Sequence, residues 1–162
     1  MVDIIRVAML LAATITMGLM AGLFAAFAYS VMPGLARTDD RTMVSAMQAI
    51  NVAILNPLFA LLFFGALVFT GIAAALQLGR EPLTWVIAAL VCYLATLGIT
   101  FGINIPLNNQ LGAATDPDSY PAARRRFEAR WVRWNVVRSL TCLAGFGCLV
   151  WALVVHGQVT GS

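Results

Sequence analysis

Read as hydrophobic and polar positions, the chain is four long apolar runs separated by short polar breaks, at about residues 4–32, 52–78, 83–105 and 136–155. A membrane span takes about 20 residues, and each run supplies at least that many. The first would extend about 43 Å as a helix at about 1.5 Å per residue, so it must tilt or project from the bilayer. Its length and the uncharged balance of its start (Asp3, Arg6) predict a retained span rather than a cleaved signal. Met32-Pro33-Gly34 is expected to end it. The loop at 35–41 offers Asp39 or Asp40 as a cap for the next helix. Met43, Met47 and Ile50 fall at i, i+4 and i+7, which predicts one or two amphipathic turns before the second span. Gly79-Arg80-Glu81-Pro82 is a tight link between antiparallel helices, and Pro106 should perturb the end of the third span. The stretch 112–121 (GAATDPDSYP) is the clear loop, after which a helix from about Ala122 carries an Arg-rich stretch into the fourth span. The predicted fold is an all-α integral membrane up-down four-helix bundle. It is one transmembrane domain over 1–162, with a short amphipathic helix before span two and an Arg-rich extension of span four.

Composition agrees with this reading. Hydrophobic residues make up 61% of the 162 and charged residues 10%, against about 25% charged in soluble domains. All ten basic residues are Arg, and six of them lie in 124–138 (RRRFEARWVRWNVVR). Because these flank a span rather than striping a soluble domain, lipid headgroups are the expected partner and nucleic acid is not. Counting Arg near the spans gives seven on the side of the first and third loops and two on the other. That predicts an integral membrane protein with its Arg-rich face in the cytoplasm and both termini outside. Gly18 and Gly22, spaced as GxxxG, would let another helix approach closely. A homo-oligomer is an open option.

Up-down topology brings four helix ends to one membrane face, and the polar residues are concentrated at those ends. Span one contributes Tyr29 and Ser30, and span two Gln48, Asn51 and Asn56. Span three contributes Asn104, Asn108 and Asn109, and span four Trp131, Trp134, Asn135 and Arg138. Asn104 and Asn108 share a helical face, as do Trp131, Asn135 and Arg138. An Arg inside the membrane boundary must snorkel or face the bundle. Asn56-Pro57 and Ile105-Pro106 each remove a backbone donor, which is tolerated where backbone lines a cavity. The set predicts a polar pocket at one end of an apolar bundle. The competing structural reading is that the Asn residues stitch helices together and the Trp residues anchor at the interface.

The residues also say what the pocket is not. The one His, His156, lies at the far end of span four, and every carboxylate is terminal or interfacial. Zinc, copper and di-iron sites need clusters of His, Cys or carboxylate. Cys92, Cys142 and Cys148 form no CxxC pair and read as small core residues.

Four ordered motifs carry a family resemblance: MGLMAGLFAAFAYSVMPGL in the first span, AMQAIN with NP five residues on, NIPLNNQL, and RWVRWNVVR. Together they resemble the anthrone oxygenase-like family of small four-span membrane proteins. The resemblance implies oxidation of an anthrone to an anthraquinone with O2 as co-substrate and no metal or flavin cofactor. It implies a hydrophobic aromatic small molecule stacked on Trp131 and Trp134, with Tyr29, Asn51, Gln48 and Asn56 around it. Arg138, Asn104, Asn108 and Asn135 would stabilise a phenolate-like oxygen, and the base is open between Tyr29 and Glu128. The alternative is a non-catalytic bundle that binds a lipid- or quinone-like molecule or a partner protein.

Overall fold

The computed structural model describes residues 2–160, which are 89% helical and contain no strand. We number the helices α1 (Val2–Leu35), α2 (Asp40–Ala53), α3 (Pro57–Leu76), α4 (Leu83–Gly112) and α5 (Tyr120–Thr160). Among the described residues four stretches are long and apolar enough to cross a membrane: Val2–Leu35, Pro57–Leu76, Leu83–Gly112 and Pro117–Gln158. The four-span bundle expected from the hydrophobic pattern is the observed architecture. Apolar runs of this length cannot be solvated as loops, and in lipid only a helix satisfies its own backbone.

The boundaries differ from expectation at two prolines. α1 continues through Pro33, and α4 continues through Pro106 to Gly112. In both, the turn before the proline is a π-turn, at Phe27–Val31 and at Thr100–Asn104. The Met32 N–H donates to Phe27 O and the Ile105 N–H to Thr100 O, one residue further back than in an α-helix. The widened turn accommodates the ring and the missing donor, so the helix bulges instead of ending.

The second span starts later than expected. α2 is a full 14-residue helix, capped by Asp39, whose carboxylate accepts from the Thr42 N–H at 2.9 Å. That amide, with the Thr42 hydroxyl, holds the Asp39 carboxyl below the usual carboxylate range. The chain then breaks at residues 54–56. Asn56 is extended, and its Oδ1 accepts from the Phe59 N–H at 2.9 Å, with Pro57 at the first position of α3. Proline there sacrifices no helical hydrogen bond. Asn56-Pro57 is therefore a capped helix start, where the missing donor costs nothing.

α1, α3, α4 and α5 pack as a ring. The α1–α5, α4–α5 and α1–α3 seams are extensive, and α3–α4 is the sparsest of the four. Small residues bring the helices close where α5 meets α1 and α4. A Cβ added at Gly145 would lie 2.8 Å from Met17 Sδ and 3.3 Å from Ala89 O, so α5 touches both neighbours there. Of the GxxxG pair only Gly18 is tight, against Phe146 of α5 in the same chain, while Gly22 faces open space. Two apolar cores result. The larger runs from Leu10 and Ala152 up to Phe24 and Phe63, and the smaller joins Met32, Met43, Val44, Met47, Leu107, Leu111, Phe127 and Trp131.

Candidate functional site

Near the ends of α1, α3 and α4, with α2 and α5 alongside, the helices enclose a cavity of about 980 Å³. This is at the upper end of what small-molecule sites hold. Of the polar residues expected at this face, Gln48, Asn51, Asn56, Asn108, Asn109, Trp131 and Arg138 line it. The remaining lining is mostly apolar and aromatic, including Phe24, Phe27, Phe59, Phe63, Phe64 and Phe101.

Arg138 is the one charged residue of the lining, and it is only 7% exposed. Its Nη2 donates to Asn135 Oδ1 at 2.6 Å, and its Nη1 reaches Thr100 Oγ1 at 3.4 Å. The guanidinium lies over the Phe24 ring at 4.1 Å and 5.7 Å from that of Trp131, contacts in which an aromatic face attracts a cation. Its Nε has no partner, and none of the ion pairs among the described residues includes it. A buried guanidinium held only by neutral groups is an uncompensated positive charge, which a ligand anion would satisfy.

The residues around it hold it in place. Asn135 is fully buried and donates through Nδ2 to Phe24 O at 3.1 Å, which fixes its Oδ1 toward Arg138. Trp131 donates from Nε1 to Asn108 Oδ1 at 2.8 Å and packs against Phe27 and Phe127, each with its centroid 5.8 Å away. With its ring so engaged and 3% exposed, Trp131 shapes the wall more than it offers a free stacking face. Gln48 donates to Leu111 O and Ala114 O, both at 2.9 Å, satisfying carbonyls left over at the end of α4. Asn51 lines the cavity with its Nδ2 unpartnered, and Asn104 is buried behind the wall with neither amide atom bonded.

Four expectations change. Tyr29 is 75% exposed and does not line the cavity. Phe27 faces inward, so a residue two positions on points away. Trp134 is half-buried at the edge of the Trp131–Asn135–Arg138 face, and it too is absent from the lining. Glu128 binds Arg124 at 2.7 Å beside a separate surface cleft, so neither candidate base reaches the cavity. Arg124, expected to face headgroups, instead clasps the α1–α2 loop through Ala36 O, Thr38 O and Asp40.

The sequence reading missed Phe24 and Thr100. Thr96, Thr100, Asn104 and Asn108 recur every four residues along α4, and that polar stripe was the available signal for Thr100. Nothing in the apolar run of α1 distinguishes Phe24 from its neighbours.

A family model described as anthrone oxygenase matches residues 56–148. The match begins at Asn56 and takes in α3, α4 and α5 as far as Cys148. It contains Asn104, Asn108, Trp131, Asn135 and Arg138 but not α1 or α2. No curated protein and no solved structure matches the chain.

Proposed function

The chain belongs to the anthrone oxygenase family, and on that premise we propose that it is a cofactor-independent membrane oxygenase acting with O2 on an electron-rich polycyclic phenol of the anthrone type. The observation that carries the reading is Arg138, a buried cation without a counter-anion in the wall of an aromatic cavity.

Such a substrate loses a proton from its central CH2 to give a carbanion whose charge is shared with the oxygen across the ring. The carbanion reduces O2 and forms a C–O bond, giving a hydroperoxide. Loss of water leaves the quinone carbonyl, with one oxygen atom in the product and the other in water. The protein's task is to hold the ring and favour the anion. Phe24, Phe59, Phe63 and Phe101 offer apolar faces, and Arg138, aimed by Asn135, supplies charge where it develops. Donors preorganised in a water-poor site are worth roughly 10²–10³ in rate.

The lining contains no Asp, Glu, His or Cys. It offers no first-row metal its usual ligands, and no side chain to act as general base. The proton therefore leaves to water, and the substrate's own acidity, enhanced by Arg138, sets the rate. The same lack of a base favours a second reading, a bundle that binds a lipid- or quinone-like molecule without turning it over.

Oxygen consumption by the solubilised protein with a hydroxylated anthrone separates the two. The oxygenase reading expects a rate above that in protein-free micelles, rising with pH along the substrate's ionisation. Binding without such a rate would leave only the second reading.

A further inference from the structure

We propose that the cavity is loaded sideways from the bilayer, through the α3–α4 seam, by a lipophilic phenol whose acidic oxygen leads and whose apolar end stays at the mouth. The inference rests on the proposed aromatic-anion site but not on turnover.

The lining residues divide by helix. Those from α1 and α5 (Phe24, Trp131 and Arg138 among them) are buried or half-buried and form a back wall. The exposed lining residues come from the end of α2, the link to α3, and from α3 and α4. The opening is therefore on the side of the sparsest seam, opposite the α1–α5 wall. Its rim is apolar: Val52 is 74% exposed, Leu55 78%, and Phe64 and Phe101 each 53%. Phe64 lies seven residues beyond Pro57, roughly 10 Å along the helix. The slit thus descends to a depth where a spanning helix meets hydrocarbon.

At the depth of Phe64 the seam is closed by rings, where Phe63 meets Phe101 across α3–α4 at 5.9 Å. The passage lies above this floor, between the Ala60 side of α3 and the Ile105 side of α4, both of which line the cavity. Ala60 is small and exposed, so the gap there is open rather than packed.

The arrangement orders the ligand. Arg138 is on the back wall, so an anionic oxygen goes in first, and substituents on the far edge rest in the rim. An alkyl chain there would lie in lipid and be tolerated. A sugar or sulfonate would have to leave water for hydrocarbon and be rejected.

The test uses the full chain in phosphatidylcholine vesicles and 1,8-dihydroxyanthraquinone as probe, with binding followed in stopped flow by quenching of protein tryptophan. At fixed total probe, the association rate is expected to follow the mole fraction of probe in the lipid. Ala60→Phe should slow it tenfold or more, whereas Leu61→Phe, next in sequence, 59% exposed and outside the lining, should not. A rate that follows the aqueous probe concentration, or equal effects of the two variants, would overturn lateral loading. Probe that binds as expected while no anthrone is oxidised would remove the oxygenase reading alone. Failure of the wild-type chain to bind the probe would remove both.

Discussion

The two ends of this bundle are built from the same helices by opposite rules. At the closed end the helices touch and most buried polar groups find partners, Gln77 Oε1 being an exception. Gly145 fits between Met17 and Ala89, and the Thr70 hydroxyl donates to Ala66 O at 2.6 Å. Buried Gln77 meets His156 at 3.2 Å, and Arg6 donates to Leu76 O at the end of α3. At the open end two π-turns widen α1 and α4, and phenylalanines replace alanines as the main lining. Arg138 Nε, Asn51 Nδ2 and the Asn104 amide are left without partners. An unsatisfied buried polar group costs about 1–3 kcal/mol. Four such atoms, Arg138 Nε, Asn51 Nδ2 and both amide atoms of Asn104, gather at the cavity end, so more of the fold's stability is given up there, where a ligand at Arg138 and Asn51 can restore part of it.

That contrast can be broken in a fixed order of effect. Arg138→Met should lower turnover by roughly 10²–10³ while leaving the melting temperature unchanged or higher, because an uncompensated buried charge is replaced by a shorter, unbranched apolar chain. Loss of both activity and fold would show that Arg138 is structural. At the closed end the signs reverse. Gly145→Val should destabilise by about 1–3 kcal/mol through overpacking, read as earlier unfolding on heating in detergent, with the affinity of the surviving folded fraction unchanged. Tyr93→Phe should destabilise by about 1 kcal/mol through loss of the 2.7 Å hydrogen bond to Phe63 O, and should change ligand affinity less than Arg138→Met even though Phe63 lines the cavity. Among residues of the open end, the smallest effect on function is expected from Asn104→Leu. It removes an unpaired amide that lies behind the wall, so it should raise the melting temperature and change turnover less than tenfold.

The four spans are legible because hydropathy is a property of composition over about 20 residues and needs no knowledge of neighbours. The convergence of Asn108, Trp131 and Arg138 is legible too, since up-down topology and the i, i+4, i+7 spacing on α5 dictate it. The departures have local causes. Pro33 and Pro106 read as stops, because nothing in a one-letter pattern announces a π-turn that absorbs a proline. Asn56 lines the cavity as read, but its side chain also caps α3, and an Asn directly before Pro at a helix start is itself a cap signal. Distance from the membrane face alone puts Tyr29 at the site, but that distance says nothing of which side of α1 it occupies. Residue type groups Trp134 with Trp131, although three residues along a helix turn it to the edge of that face. Phe24 is invisible because an aromatic inside an apolar run has no contrast to reveal it.

The most direct test of the central claim, that Arg138 makes this cavity a site for an aromatic anion, is the ionisation of a bound dye. A hydroxyanthraquinone changes colour when its phenol loses a proton, so its titration can be followed on the protein and in empty micelles of the same detergent. Arg138 should lower the apparent pKa of the bound phenol by about one unit or more, equivalent to about 1.4 kcal/mol per unit, and Arg138→Met should abolish that shift while the dye still binds. A bound dye that titrates as it does in empty micelles, or that is shifted equally by wild type and variant, would contradict the account.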